Sequence, residues 1–335
     1  MAIEIKTHPH RIVECANLNR EHIENRGEDA NPICCFGEIT ANYGFTGVFD
    51  GMGGAGSRVH ELANGELHTE AYLASRFVRE VINDLIDDID FVENFDSEQI
   101  ESEIKLRLKS YKEELGIKAC GLRSSMVKTL PTTLAMTSWY STNGEITINS
   151  FWAGDSRNYI LFEDGLKMLS LDHVRGERDA MTTLHDDPPM YNCVSEDTDF
   201  FIDKKTIKTA EPFVLISCTD GCFGYLQNPI HFEQMLAYTM LLSNTIDEWR
   251  DNLDKYLSPI SGDDYSFAIQ VVGCSFNDFK MKLCSEKHYV VLDKEHSEGN
   301  LEMSLNDADL SWEKYAPKLE EYFKEELSKP QKACQ

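Results

Sequence analysis

The sequence predicts an α+β fold in which strands pair antiparallel and helices come in separate runs. Three observations carry this expectation. Residues 132–171 are rich in strand formers and broken by tight-turn signals. Apolar stripes at helical spacing run through 59–86 and 100–115. Two more helical patterns, 230–242 and 246–257, lie between a strand near 213–217 and another at 265–272.

The first strands are RIVECA and ICCFGEIT, around a polar loop that ends in Asn25-Arg26-Gly27-Glu28-Asp29-Ala30. A short apolar run with Phe45, Val48 and Phe49 then delivers a single carboxylate, Asp50, to a sharp turn. Four glycines, Gly51, Gly53, Gly54 and Gly56, fall within six positions there. Val59, Leu62 and Ala63 begin a long helical stripe, continued by Leu73, Phe77, Val78, Val81, Ile82, Leu85 and Ile86. A second helix starts at Asp96, whose spacing to Gln99 resembles a capping box; Ile100, Ile104, Leu108, Tyr111 and Leu115 line its inner face.

Thr132 to Tyr140 predicts a strand, and Asn143-Gly144 a hairpin turn into a return strand, Glu145 to Trp152. That strand ends at Gly154-Asp155-Ser156-Arg157. A strand over 158–162, an Asp164-Gly165 turn and a strand over 166–171 complete an antiparallel meander. Residues 172–196 are irregular, and His173 at their start reads first as a structural histidine bonding the loop backbone. Phe213 to Ser217 is a buried strand leading into Thr219-Asp220-Gly221. The turn Ser261-Gly262-Asp263-Asp264 opens the last strand, Tyr265 to Val272.

With 335 residues and a hydrophobic fraction of 41%, the chain can bury a full core. A formal charge of −26 opposes binding to nucleic acid or an anionic membrane, both of which need a cationic footprint. No apolar run approaches the ~20 residues of a membrane span, and the N-terminal residues lack the apolar core of a signal peptide. Ten scattered cysteines form no C-x-x-C pair, which argues against zinc and predicts buried free thiols. These features predict a soluble, cytoplasmic protein.

Gly51, Gly53 and Gly56 also satisfy the G-x-G-x-x-G spacing of a dinucleotide fold. Asp50 would then face, and repel, the pyrophosphate. The alternative rests on five carboxylates, Glu28, Asp50, Asp155, Asp220 and Asp263, all at strand ends and most beside a glycine. Brought to one rim they would repel strongly unless cations lay between them, and an all-oxygen site selects magnesium or manganese over zinc.

The ordered segments RGEDA, VFDGMGG, GDSR, SCTDG and DDYSFAI resemble the metal-dependent protein phosphatases, the PPM or type 2C family, with DGMGG in the form of its bacterial branch. The resemblance implies a four-layer α-β-β-α sandwich of two antiparallel sheets flanked by helices. It places the phosphatase-like domain at 1–274 and leaves 275–335 as a C-terminal extension, in which Trp312, Tyr315, Leu319, Phe323 and Leu327 make an amphipathic helix. The implied activity is serine/threonine phosphoprotein phosphatase, a phosphomonoester hydrolase using a metal-activated water and no covalent phosphoenzyme. Two Mn2+ or Mg2+ ions are implied. Asp50 would bridge them with the Gly51 carbonyl as a further ligand, Asp220 and Asp263 would complete one, and Glu28 the other. Asp29 would order metal-bound waters, and Asp155 is the candidate ligand of a looser third ion. Implied partners are phosphoserine and phosphothreonine proteins and a partner kinase, with no nucleic acid and no membrane.

Two positions depart from the family pattern. Met52 stands where many relatives have a histidine, and Glu24 where a phosphate-binding arginine usually lies, so either Arg26 or Arg20 takes that role or the metals alone hold the phosphate. The rival expectation is a pseudophosphatase that keeps the fold as a binding or regulatory module.

Overall fold

Two five-stranded antiparallel sheets face each other, with helices on both outer sides. The computed structural model describes residues 12–37, 42–87, 95–117, 127–175, 190–226 and 229–285. One sheet has the order β1 (Val13–Arg20), β12 (Tyr265–Val272), β11 (Phe213–Cys218), β8 (Arg157–Phe162), β9 (Gly165–Met168). The other runs β10 (Asp203–Thr209), β7 (Glu145–Ala153), β6 (Leu134–Thr142), β3 (Tyr43–Val48), β2 (Ile33–Phe36). The central strands β11, β12, β6 and β7 are buried almost throughout, so their apolar runs are continuous rather than alternating.

Helices α1 (Glu70–Asp87) and α2 (Ser97–Glu114) cover the second sheet: Val78, Ile82, Ile104 and Leu108 pack against Phe45, Met136 and Phe151. Helices α3 (Pro229–Leu241), α4 (Ile246–Leu257) and α5 (Phe276–Ser285) cover the first, with Phe232, Leu236 and Trp249 against Ile216, Phe267 and Ile269. Between the sheets, Trp139, Ile148, Ile160 and Leu215 form an apolar layer. Beside it runs a polar seam: Thr46 Oγ1 lies 2.7 Å from Thr137 Oγ1 and 2.8 Å from Ser217 Oγ, which donates to Asn158 Oδ1 at 2.7 Å. Asn158 Nδ2 in turn donates to the Met136 and Phe151 carbonyls, both at 3.0 Å. The four-layer sandwich expected from the resemblance is the observed architecture.

Four local expectations differ from the structure. Val59, Leu62 and Ala63 do not begin a helix. They belong to a hairpin of β4 (Val59–Glu61) and β5 (Leu67–Thr69), and α1 starts only at Glu70. The turn is Asn64-Gly65, with Gly65 at φ +85°, and Asn64 Oδ1 accepts the Glu66 amide at 3.0 Å. That Asn-Gly pair breaks the stripe and outweighs the helical spacing around it. The meander of 132–171 is divided between the sheets, since β6–β7 lie in one and β8–β9 in the other. The chain changes sheets at the corner of 154–156. Asp96 is the extended N-cap of α2, yet its side chain makes no capping bond. Finally, β10 is a strand that sequence patterning misses. DKKTIKT holds one large apolar residue and three lysines, as suits a sheet edge exposed to water.

Cys15, Cys34, Cys35, Cys193, Cys218, Cys222 and Cys274 are free thiols. The irregular loop is described at 172–175 and 190–196 only, and the helix expected around 312–327 lies outside the described residues. Helix α5 belongs to the core: Phe276, Phe279 and Leu283 are buried in the same cluster as Trp249, whose ring lies 5.6 Å from that of Phe276. Phe279→Ala should therefore destabilise the protein by about 3–5 kcal/mol, read as a lower urea midpoint at unchanged slope. A loss below about 1 kcal/mol would show that α5 is not part of the cooperative unit.

Candidate active site

The expected site residues collect at one edge of the sandwich because the strands that carry them end there. Asp50 follows β3, Asp220 follows β11, Asp263 and Asp264 precede β12, and Asp155 sits at the corner between β7 and β8. Glu28 and Asp29 come from the loop joining β1 to β2. Hydrogen bonds knit these loops together. The Ala30 amide donates to the Phe49 carbonyl at 3.0 Å, and the Thr133 amide to the Asp50 carbonyl at 2.8 Å. Thr133 Oγ1 then lies 2.6 Å from Ser156 Oγ, next to Asp155.

Asp29 is the hub. It is buried, and its Oδ2 accepts both Thr219 Oγ1 at 3.0 Å and Ser266 Oγ at 2.8 Å. One carboxylate oxygen thus ties the Glu28 loop to the residues bearing Asp220 and to the start of β12. Asp264, which sequence patterning passes over in favour of Asp263, also bridges loops. It accepts the Glu28 amide at 2.7 Å and the His22 amide at 2.8 Å. Asp263 is exposed at the rim, its Oδ1 accepting the Asp264 amide at 2.8 Å.

Space explains the glycines of the Asp-Gly pattern. A Cβ on Gly53 would stand 1.9 Å from Glu28 Oε2, and one on Gly221 would stand 1.9 Å from the Asp264 carbonyl oxygen. Neither position has a positive φ. The glycines let one loop press against the next, which brings the carboxylates within reach of one another.

The cost of that crowding is visible in the protonation behaviour. Burial pushes the Asp50 carboxyl well above the usual range, and the charges of Asp29, Asp220, Asp155 and Asp263 push it further. Asp155 moves the same way through burial and the charges of Asp220 and Asp172, opposed in part by Arg157. Burial raises Asp29 to about 7, against the hydrogen bond from Ser266. Glu28 is raised by burial, with the Thr69 hydroxyl, 2.5 Å from Oε1, acting against it. Asp155 Oδ1 is sealed from solvent without a hydrogen-bond partner. A buried oxygen left orphaned among like-charged carboxylates belongs to a donor set that fits a hard divalent cation. Among the described residues, however, no three His, Cys, Asp or Glu side chains already close around a single point.

The arginines divide. Arg26 is exposed beside Glu28, and its backbone amide donates to the Ile23 carbonyl at 3.0 Å. Arg20 turns away towards α4, 3.8 Å from Asp254. Arg76 on α1, missed by sequence patterning, donates to the backbone carbonyls of Glu28 at 3.1 Å and Gly27 at 3.3 Å. Its guanidinium lies 3.4 Å from the centre of the Tyr72 ring. Nothing in the sequence separates Arg76 from an ordinary polar-face residue of that helix. His173 is buried and structural as expected, accepting the Gly154 amide at Nδ1 (3.1 Å) with Nε2 3.1 Å from Asp203.

No protein-family model and no curated protein sequence matches this chain. Solved structures do match in fold. A serine/threonine phosphatase, Stp1 from Staphylococcus aureus, is similar at a TM-score of 0.55 and 16% identity, over 78% of this chain and 95% of that one. The catalytic domain of the serine/threonine protein phosphatase PstP, solved with two manganese ions, is similar at 0.53 and 14%, over 79% and 100%. PppA, a regulatory component of the type VI secretion system in Pseudomonas aeruginosa, is similar at 0.52 and 15%, over 78% and 97%. The chain therefore has the fold of the bacterial type 2C serine/threonine phosphatases, at a wide distance in sequence.

Proposed function

We propose that this protein is a metal-dependent serine/threonine phosphoprotein phosphatase. The observation that carries the proposal is the gathering of Asp29, Asp50, Asp155, Asp220 and Asp263 at one rim, where the other four raise the cost of ionising Asp50, in a fold otherwise known from such phosphatases. Asp50 would hold two ions, with the Gly51 carbonyl as a further ligand; Asp220 and Asp263 would complete one, Glu28 the other, and Asp155 would hold a third. When bound, manganese or magnesium supplies the positive charge that neutralises these carboxylates, activates a water and stabilises the phosphoryl oxygens. The protein's own residues set the geometry. Thr69 orients the Glu28 carboxylate, and Arg76 fixes its backbone. Thr219 and Ser266 hold the Asp29 carboxylate in place, from where it would order metal-bound waters. Arg26 would bind the substrate phosphate, supported by its exposure beside Glu28. Phosphoserine and phosphothreonine proteins, products of a partner kinase, would be the substrates. Free thiols and the lack, among the described residues, of a helix long and apolar enough to cross a membrane support a cytoplasmic setting.

The purified protein should hydrolyse a small aryl phosphate and phosphothreonine peptides only with added manganese or magnesium. Turnover that survives full chelation, or none with any divalent ion, would sink the enzyme and favour the binding-module alternative.

Arg26→Ala should raise the KM for a phosphopeptide about tenfold or more, as expected for a lost charge-assisted bond, while leaving the manganese requirement unchanged. Arg20→Ala should leave both the KM and the manganese requirement unchanged, because that side chain pairs with Asp254. The reverse outcome would move the role to Arg20.

Metal-free stability should depend on pH in a definite direction. A carboxyl whose pKa is raised by folding holds its proton longer in the native than in the unfolded chain. Stability is therefore lost as pH rises from the ordinary aspartate value of about 4 through the folded values, about 7 for Asp29. In chelator, the melting temperature should fall between about pH 5 and pH 8, and manganese should restore more at the higher pH. Asp220→Asn relieves part of the repulsion, so without metal it should melt at or above the wild type, yet gain less from manganese and lose about 100-fold or more in turnover. A variant less stable in both conditions, with an unchanged manganese-induced gain, would remove Asp220 from the metal site.

A further inference from the structure

The β4–β5 hairpin carries its side chains the wrong way round for a piece of core. Because residues opposite each other share a face, Val59, Glu61, Leu67 and Thr69 lie on one side, and His60 and His68 on the other. The histidine side is the one turned inward. His60 Nε2 lies 2.7 Å from Glu70 Oε1, and His68 stacks on Tyr72 with ring centres 4.0 Å apart. Glu70 is fully buried and also holds Arg58 at 2.9 Å, so the hairpin is clamped to the start of α1. The apolar residues are left in water: Val59 is 56% exposed and Leu67 66%. An anchored strand pair that solvates its aliphatic side chains while half-burying its histidines is built to present them.

The same face runs into the candidate site. Thr69, at its inner end, donates to Glu28 Oε1 at 2.5 Å. Leu67 stands two residues further out along β5, roughly 7 Å along the strand. Glu61, exposed and directly opposite Leu67 on the same face, adds negative charge beside it.

We propose that the outer face of this hairpin is the docking surface for the polypeptide flanking the phosphoresidue, selecting substrates with an aliphatic side chain and an adjacent lysine or arginine two or more residues from the phosphate. The proposal rests on the phosphatase reading and specifies its substrate. Continuity with Glu28 names the occupant, and the Glu61 carboxylate names its charge.

The test compares the wild type with the V59S/L67S double variant, whose changes fall on exposed positions. Two phosphothreonine peptides are used, one with Leu-Lys on both flanks and one with Ser-Ser, beside a small aryl phosphate, all with manganese. The variant should hydrolyse the aryl phosphate and the Ser-Ser peptide within twofold of the wild type. Its kcat/KM for the Leu-Lys peptide should fall about tenfold, mainly through KM, as expected for losing burial of one leucine. A fluorescent, non-hydrolysable phosphonate form of the Leu-Lys peptide should lose affinity by the same factor in anisotropy titrations. Equal effects on both peptides, or none, would overturn the docking role while leaving the phosphatase standing. A wild-type dimer that the variant dissolves, with peptide kinetics unchanged, would give the face to a second copy and also overturn it. No hydrolysis of any substrate by the wild type would instead remove the phosphatase reading on which the proposal rests.

Discussion

Mutual repulsion among buried carboxylates is the constraint around which this molecule is arranged. Left to themselves, Asp29, Asp50, Asp155 and Asp220 would move apart or take up protons. The fold denies them the first option by placing each at the end of a buried strand or in a loop bonded to one. Hydroxyls on Thr69, Thr219 and Ser266 satisfy the carboxylate oxygens they reach, and backbone amides occupy Asp264. Glycines allow the contact, hydroxyls orient it, and the partnerless oxygen of Asp155 marks where neither is enough.

The strand ends were legible because a buried strand leaves a continuous apolar run and its exit leaves an Asp-Gly pair; FVLIS before Thr219-Asp220-Gly221 displays both. Helices α2, α3 and α4 were legible by periodicity. The hairpin after the glycine turn was not, because its apolar residues mimic helical spacing and only Asn64-Gly65 reports the break. The division of the meander between two sheets was hidden too, since a strand's pattern records that it is buried and not which sheet buries it. Arg76 and Asp264 escaped for another reason. Their roles lie in bonds to main-chain groups of distant loops, which no local spacing encodes.

The chain's overall charge works against its proposed substrate. A formal charge of −26 repels a phosphorylated protein, and more so at low ionic strength. Cationic groups such as Arg26 and Arg76 then matter beyond their contacts, because they interrupt an otherwise negative approach. Affinity for a phosphoryl group alone would be poor in such a field, which leaves recognition to the surrounding polypeptide and its positive charges.

The seam of Thr46, Ser217 and Asn158, joined by Thr137, lies three or four residues inward along the chain from Asp50, Asp220 and Asp155, and it bears on the site. Asp50 is carried by one sheet and Asp220 by the other. Sheets packed through aliphatic side chains alone can slide over each other at small cost. Here a displacement of one sheet by a single residue would strand buried hydroxyl and amide groups without partners, each at about 1–3 kcal/mol. The seam acts as a vernier, fixing the gap between the two halves of the carboxylate cluster from the middle of the sandwich.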